Sequence, residues 1–497
     1  MNLLYKQCPC SSAVEHFLGK EEVSGSSPDM GSIATKRFFS MLNETNQNKL
    51  PKALLVGVPT PDISDSENQE SLKELERLVT TLGFSILSVM HQRRLSSSGA
   101  VPLGEGKIKE IAKLTGGSGE VKTGPQIKKS KAKLKEEQLH TSLDEVVEVE
   151  IDPAKKPQAI IFDCELTPSQ ISNLKSAFGV EVLDRTGVIV EIFSKHAKTR
   201  EARLQVEIAR LKYLAPRIRE SGASERQGSG AGARGAGETD IELDKRRIRD
   251  RIAELKREIE AIQTEQGNRR KKRSEQPCVA LIGYTNAGKS SLMRKLTGSD
   301  VLVEDKLFAT LDTTVRTLYP ETQPKILVSD TVGFIRKLPH DLVVSFRSTL
   351  EEALNASLLL YVIDVSDNSW RSHLAVTKST LQGIGVQEET ASVYIFNKID
   401  KVESSSLQAL ELEYPNSLFI STRNEDDIKK VYQFIRDFFE KDMTDESVFV
   451  PYQIQGAIGE IREKFRVINE RYENEGTYFL LRGKKEYFQR LRERFQL

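Results

Sequence analysis

The sequence is poor in cysteine and in long apolar segments, and each shortage excludes a class of protein. Its 497 residues include four cysteines. Cys8, Cys10, Cys164 and Cys278 form no pattern typical of a disulfide framework or a zinc site, which favours a reducing, cytoplasmic location. No window holds about 18 consecutive apolar residues, so no transmembrane helix is predicted. Lys and Arg (73) balance Asp and Glu (72), so the net charge alone indicates no nucleic-acid partner.

The first 48 residues show no sustained hydrophobic period and no secretory signal pattern. The segment Cys10–Thr35 resembles a peptide obtained by translating a transfer-RNA gene. We therefore expect residues 1–48 to be a disordered or spurious extension, with translation starting at or near Met41.

The next part of the chain alternates apolar, strand-like runs with helical periods, which predicts a small α/β domain over residues 49–193. Its first helix is predicted at Ser71–Leu82, where leucines and a valine recur at helical spacing. Residues 115–156 turn polar and rich in lysine and glycine, and we expect a flexible insertion there.

Residues 194–275 are predicted to form a long helical hairpin and a basic linker. The two helices are expected at Ser194–Ala215 and Thr239–Gln263, around a glycine-rich loop at Gly222–Gly237, and the linker at Arg269–Arg273. From Lys195 to Arg273 there are 22 Lys and Arg against 13 Asp and Glu. Such a pair could lie along nucleic-acid phosphates, or it could be a solvated hairpin with charges paired along its helices. Charge alone does not separate these alternatives.

Strand and helix patterns alternate throughout residues 276–441, which predicts a central domain with a mostly parallel sheet and helices on both faces. Residues 442–497 are predicted to form a small α+β domain of strand, helix, strand and helix. The fold class is therefore α/β, with a smaller domain on either side of the central one.

The central domain begins with a phosphate-loop pattern between the apolar run Cys278–Ile282 and a helical segment. Glycines at both ends let consecutive N–H groups face phosphate oxygens. Lys289 would reach the β- and γ-phosphates, and the Ser290 hydroxyl would hold Mg²⁺. An ordinary glycine-rich turn is the alternative, which the flanking strand and helix disfavour. The predicted phosphate-binding residues are Gly283, Tyr284, Thr285, Asn286, Ala287, Gly288, Lys289 and Ser290.

A second motif, Asp330-Thr331-Val332-Gly333, follows an apolar strand. Its carboxylate would orient Mg²⁺ through water, and the Gly333 N–H would meet the γ-phosphate. The next residue is Phe334, where many GTPases place a glutamine that orients the attacking water. We therefore expect tight GTP binding and slow hydrolysis unless a partner reorganises the site. No arginine finger is evident in this domain; the arginines near the switches are Arg316, Arg336 and Arg347.

A threonine in the segment between these two motifs is expected to close over Mg²⁺ and the γ-phosphate. We predict Thr310, with Thr313 and Thr314 left open and simple capping as the alternative role. With Lys289 and Gly333, Thr310 is a predicted catalytic residue, and with Ser290 a predicted metal ligand. The other nucleotide-binding residues predicted here are Phe308, Ala309, Leu311 and Asp312.

Asn397-Lys398-Ile399-Asp400 follows another strand and is typical of a guanine-reading motif. The Asp400 carboxylate can accept hydrogen bonds from the guanine N1–H and the exocyclic amine, whereas adenine would leave it unpaired. Lys398 would lay its aliphatic stem on the base. Ser421, Thr422 and Arg423 follow the next strand, where a backbone N–H would meet the guanine O6.

The order of GYTNAGKS, FATLDTT, DTVGF and NKID resembles that of the HflX family of translational GTPases. The similarity extends to KTREARLQVEIARLKYLAPRI from Lys198 and to GSGAGARGAGETDIELDKRRIRDRI from Gly228. The family usually has proline in place of Thr313. The resemblance implies a cytoplasmic, magnesium-dependent GTPase that binds the large (50S) ribosomal subunit and its rRNA. It further implies that the enzyme dissociates or rescues stalled ribosomes, or acts in ribosome biogenesis. We expect a monomer away from the ribosome.

Two other functions remain open at this stage. The glycine- and lysine-rich segment Leu103–Ile111 could belong to a second nucleotide site of an ATP-driven RNA-remodelling enzyme, although it lacks the full phosphate-loop pattern. A GTP-switched adaptor without a ribosome is the third interpretation.

Overall fold

The structure is a computed structural model. It describes residues 50–94, 99–121, 156–217, 236–273, 276–299, 307–308, 314–339, 354–386, 390–454 and 456–496, with backbone only at 236–242 and 265–273. Four predictions lie wholly or mostly outside these ranges: the N-terminal extension, the insertion, the glycine-rich loop and the switch residues from Ala309 to Thr313.

The first unit is a four-stranded parallel sheet with the strand order β2-β1-β3-β4. The inner strands β1 and β3 are almost wholly buried, as parallel strands covered on both faces must be. Helix α1 begins six residues earlier than predicted because Ser64 and Glu67 form a capping box. The elements are β1 (Lys52–Gly57), α1 (Asp65–Leu82), β2 (Ser85–His91), α2 (Glu105–Thr115), β3 (Ala159–Phe162), α3 (Pro168–Phe178) and β4 (Glu181–Asp184).

The long helical segment differs from the prediction at both ends. The first predicted helix, Ser194–Ala215, contains α5 (Arg200–Leu214) and only the end of another helix, α4 (Arg185–His196), which begins earlier in the chain. They separate where the Thr199 side chain caps α5 by accepting the Ala202 N–H at 3.2 Å. The second helix, α6 (Ala236–Arg273), extends through the predicted basic linker, which is therefore helical.

Helices α5 and α6 run antiparallel. Arg200 pairs with Glu258 at 2.9 Å, and Glu207 pairs with Arg251 at 3.0 Å. Residue numbers along α6 therefore decrease as those along α5 increase. Between them Leu255 packs against Leu204 and Ile208. This apolar seam holds the pair together, as expected for an αα-hairpin.

The central unit is a six-stranded sheet with the order β10-β9-β8-β5-β7-β6, in which only β6 runs antiparallel. Apolar clusters cover both of its faces, which confirms the predicted fold. The elements are β5 (Cys278–Gly283), α7 (Lys289–Thr297), β6 (Thr314–Thr317), β7 (Leu327–Asp330), β8 (Leu358–Asp364), α8 (Trp370–Ile384), β9 (Ser392–Asn397), α9 (Ser404–Glu413), β10 (Leu418–Phe419) and α10 (Glu425–Glu440).

The last unit has one strand more than predicted. It comprises β11 (Thr444–Pro451), α11 (Ala457–Lys464), β12 (Arg466–Tyr472), β13 (Gly476–Gly483) and α12 (Lys485–Phe495). The antiparallel order is β11-β13-β12. The sequence prediction missed an edge strand because β12 is mostly polar and exposed, so it carries no clear alternation.

Among the described helices, none combines the length and the apolar character needed to cross a membrane.

Candidate functional site

The phosphate loop lies at the carboxyl end of β5, at the centre of the six-stranded sheet. Two glycines fix its shape. A Cβ on Gly283 would lie 2.2 Å from the Val362 carbonyl oxygen, and one on Gly288 would lie 2.2 Å from the Asn397 amide nitrogen. Gly288 also has a φ of 99°, in the left-handed region. The loop therefore opens directly into the N-terminus of α7, where backbone N–H groups favour an anion.

Lys289 is buried inside the loop and held by it. Its Nζ donates to the carbonyl oxygens of Gly283 at 3.0 Å and Tyr284 at 2.8 Å. Burial lowers the pKa of Lys289 to about 8, while the Asp330 carboxylate acts in the opposite direction. The ammonium is thus fixed at the position where the phosphate-loop pattern requires a cation.

Two residues of the predicted magnesium site, one on α7 and one at the end of β7, are hydrogen-bonded to each other. The Ser290 hydroxyl donates to the Asp330 carboxylate at 2.8 Å. Asp330 ends β7, next to β5, and is fully buried. A hydroxyl and a carboxylate are oxygen donors of the kind that Mg²⁺ prefers, so this pair fits a magnesium site. Among the described residues, no cluster of three or more His, Cys, Asp or Glu side chains forms a separate metal site.

The segment Asp330–Ile335, here called the second switch, is docked on the phosphate loop. Phe334 accepts the Thr285 N–H through its carbonyl oxygen at 2.9 Å and donates its own N–H to Gly283 at 3.2 Å. A Cβ on Gly333 would lie 2.9 Å from the Thr285 Cα and 3.1 Å from the Lys289 Nζ. Glycine is therefore required for this close approach. The Phe334 side chain is buried in an apolar cluster and offers no hydrogen-bonding group to a water.

The predicted guanine-reading motif lies at the end of β9, two strands from the phosphate loop. The Asn397 amide donates to the Ala287 carbonyl at 2.9 Å and accepts the Thr422 N–H at 3.2 Å. Asp400 accepts the Ser421 hydroxyl at 2.7 Å, with the Arg423 guanidinium 3.5 Å away. The structure thus brings together the phosphate loop, Asn397 and the segment Ser421–Arg423.

Sequence reasoning missed Asp364, which orients Lys398. The Lys398 Nζ lies 2.6 Å from the Asp364 carboxylate, and both side chains are largely buried. Asp364 could have been predicted as a site residue, because it lies at the carboxyl end of β8, and β8 lies between β5 and β9.

The other predicted candidates are placed as follows. Phe308 is buried and contacts Phe193, with ring centroids 4.5 Å apart. Arg336 pairs with Glu70 of α1 at 2.7 Å, and Arg316 lies exposed on β6. Arg347 and Thr310 lie outside the described residues.

The segment Leu103–Ile111 leads into α2, where the Gly104 N–H donates to the Gln92 side chain at 2.8 Å instead of facing an open site.

A cavity of about 610 Å³ lies between the phosphate loop and the first unit. Its lining includes Lys73 and Arg77 of α1, Tyr284 and Asn286 of the phosphate loop, and Lys398. The first unit thus forms one wall of a space that opens onto the nucleotide site.

Comparison with known proteins covers most of the chain. Three family models match: a GTP-binding GTPase N-terminal region at residues 127–194, a GTP-binding GTPase middle region at residues 196–273 and a 50S ribosome-binding GTPase at residues 278–398. The GTPase HflX of Gluconacetobacter diazotrophicus is 50% identical over 440 residues, or 87% of this chain and 95% of that protein. The GTPase HflX of Caldanaerobacter subterraneus subsp. tengcongensis is 35% identical over 447 residues, or 89% of this chain and 94% of that protein.

Among solved structures, a GTP-binding protein from Sulfolobus solfataricus in complex with GDP is 24% identical, with a TM-score of 0.39. The alignment covers 78% of this chain and 100% of that one. The family assignment rests on the sequence relatives.

Proposed function

The chain belongs to the HflX family of GTPases, and from this premise we propose that it hydrolyses GTP while bound to the large ribosomal subunit. The observation that supports this most is the convergence of three motifs at one sheet edge: the phosphate loop, Asp330–Gly333 and Asn397–Asp400. We further propose that the factor dissociates or rescues stalled ribosomes, or acts in their biogenesis, in the cytoplasm.

In the proposed mechanism, the phosphate loop binds the triphosphate and Lys289 neutralises its β- and γ-phosphates. Ser290 and Thr310 would hold Mg²⁺, and Asp330 would orient it through water; the ion would spread the charge that develops on the phosphates. The Gly333 N–H meets the γ-phosphate from the docked switch. Asp400 reads guanine, and Lys398, oriented by Asp364, packs its stem on the base.

Slow hydrolysis by the isolated protein follows from Phe334. The residue occupies the position of the water-orienting glutamine of many GTPases, yet its side chain is buried and apolar. Another group must therefore orient the attacking water. We propose that ribosome binding provides or positions it.

The helical hairpin is the proposed RNA-binding element. Several of its charges are paired within the hairpin, for example Arg251 with Glu207 and Glu254. Arg249 and Lys256, one heptad apart on an exposed face of α6, have no carboxylate partner among the described residues. These two cations are available for phosphates.

The test is co-sedimentation with purified large subunits in sucrose gradients. A non-hydrolysable GTP analogue should increase the amount of protein that sediments with the subunit relative to GDP. The double variant Arg249→Ala/Lys256→Ala should bind the subunit more weakly, and the salt dependence of its affinity should decrease by the equivalent of about two phosphate contacts. Arg251→Ala, whose cation is already paired, is the matched control. Equal sedimentation with the analogue and with GDP would contradict the proposal.

We also propose the division of the chain into residues 49–193, 194–275, 276–441 and 442–497. The boundary at residue 193 falls within α4, whereas that at 441 falls between α10 and β11. Limited proteolysis would test these boundaries.

A further inference from the structure

The first unit contacts the nucleotide site through a set of polar side chains. Arg336 and Lys337, which follow the second switch, reach Glu70 and Asp163, at 2.7 and 2.9 Å respectively. Tyr284 of the phosphate loop donates its hydroxyl to Glu74 of α1. All of these contacts join residues more than 170 positions apart in the sequence.

A buried ion-pair network fixes the carboxylates on the side of the first unit. The Arg185 guanidinium, at the start of α4, pairs with Glu74 and with Asp163, the latter at 2.7 Å. The second oxygen of each carboxylate accepts a hydrogen bond from the central unit: Glu74 accepts from the Tyr284 hydroxyl, and Asp163 accepts from the Lys337 ammonium. Arg185 and Lys337 together balance the charges of these two carboxylates, which can therefore act as rigid acceptors at the interface.

Tyr284 links the two sides. Its hydroxyl oxygen accepts the Arg336 backbone N–H at 2.7 Å while donating to Glu74. Its ring stacks on His373 of α8, with centroids 3.9 Å apart and planes 8° from parallel. Burial and the Glu74 carboxylate raise the pKa of Tyr284, so the hydroxyl stays protonated and remains a donor.

The Arg336 N–H lies three residues beyond Gly333. Between them, the Phe334 main chain makes two hydrogen bonds to the phosphate loop, and Gly333 packs against Thr285 and Lys289. The Tyr284 hydroxyl thus anchors the far end of a short segment whose near end carries the N–H assigned to the γ-phosphate.

We propose that Tyr284 is a positioning residue for GTP: held by Glu74 of the first unit, it fixes the second switch where the Gly333 N–H meets the γ-phosphate. The inference rests on the site assignment above. Tyr284 touches neither the base nor the reacting atoms in this role; it acts through the Arg336 backbone.

This role has a specific consequence for nucleotide preference. Only GTP carries the phosphate that the Gly333 N–H would bind, whereas GTP and GDP share the phosphate loop, Lys289 and the base reader. Loss of the anchor should therefore weaken GTP binding and leave GDP binding unchanged. A residue that merely supported the fold of the loop would affect both nucleotides equally.

The test is Tyr284→Phe, which removes one oxygen and keeps the ring on His373. Calorimetry with magnesium should show the affinity for a non-hydrolysable GTP analogue falling about fivefold or more, as expected for one lost hydrogen bond, with GDP affinity changed less than twofold. Tyr213→Phe is the matched control, because the Tyr213 hydroxyl on α5 also donates to a carboxylate, that of Asp184 at the end of β4, at 2.7 Å.

Hydrogen exchange provides a second measurement that does not depend on nucleotide. The Arg336 amide should exchange faster in Tyr284→Phe than in the wild type or Tyr213→Phe. Equal losses for both nucleotides, or no change in either affinity, would overturn the inference while leaving the GTP site intact. Absence of GTP binding to the wild-type protein would instead overturn the site assignment.

Discussion

Single residues at the predicted base-binding end of the site are proposed to set the choice of nucleotide. Asp400 is oriented by the Ser421 hydroxyl at 2.7 Å and by Arg423 at 3.5 Å. Arg423 lies beside the Asp400 carboxylate, so it can help to orient that carboxylate.

The prediction for this carboxylate is a change in base preference. Asp400→Asn should weaken GTP binding by about tenfold or more, because the amide N–H faces a donor of guanine, and should improve XTP binding, because xanthine has an acceptor there. Competition binding with GTP and XTP measures both effects.

Asp364→Asn is the control for that change. Asp364 pairs with Lys398 and not with Asp400. The loss of its charge should therefore weaken the binding of GTP and of XTP by the same factor. If Asp400→Asn retained the wild-type preference for GTP, Asp400 would not be the base reader.

The residues of the nucleotide site were readable from the sequence wherever a motif is continuous. Gly283–Ser290, Asp330–Gly333 and Asn397–Asp400 each follow a strand of the central sheet, as their apolar runs predicted. The contacts of Tyr284 and Asp364 were not readable, because their partners come from elements far away in the sequence. No local period or spacing encodes such a pair.

At the scale of elements, the presence of a helix was predicted more accurately than the residues at which it begins and ends. The start of α1 depends on the Ser64 capping box and the start of α5 on the Thr199 cap, and both signals are single polar residues within a longer amphipathic pattern. Strand β12 was missed for a related reason. Its exposed edge position leaves the burial pattern without the alternation that identifies a half-buried strand.

The contact between α4 and α5 contains a buried acidic group. The Glu191 carboxylate on α4 is 13% exposed, with Arg210 Nε 3.5 Å away. Burial raises the pKa of Glu191 to about 7, although Arg210 and Lys195 act in the opposite direction. The desolvation of the carboxylate therefore outweighs an ion pair at this distance.

This pKa predicts a pH dependence of stability. The folded protein retains the proton up to about pH 7 and the unfolded chain only up to about 4.5, so the contribution of Glu191 is complete below pH 4.5. It is lost as the pH rises to about 7, which lowers the free energy of unfolding by up to about 3 kcal/mol. Glu191→Gln should remove this part of the slope in denaturant titrations between pH 5 and 8.

Glu207→Gln is the control for this measurement, since Glu207 lies partly exposed on α5 and pairs with Arg251 across the hairpin. Parallel stability curves for wild type and Glu191→Gln over this pH range would show that Glu191 ionises normally in the folded protein.

At the scale of the whole molecule, the first unit and the central sheet share one apolar cluster. It runs from Leu55 of β1 through Phe193 of α4 to Ile282 of β5. Together with the polar contacts of Tyr284 and Lys337, this cluster places the α4–α6 region and the nucleotide site on one connected body. Composition and motif order predicted the three sheets, but not which surfaces of them would meet.

This connection would couple nucleotide binding to the RNA binding proposed for the hairpin. A change in the second switch would displace Lys337, which pairs with Asp163, and Asp163 also pairs with Arg185 at the start of α4. Helix α4 leads through Ala197–Thr199 into the hairpin proposed to bind RNA. Binding at either end should therefore favour the same arrangement of the switch.

The measurement that tests the central claim most directly is GTP turnover with and without purified large ribosomal subunits. Because Phe334 cannot orient water, we predict slow turnover by the protein alone and a stimulation of about tenfold or more by the subunit. Lys289→Ala should abolish both rates. Turnover that is unchanged by the subunit would contradict the account.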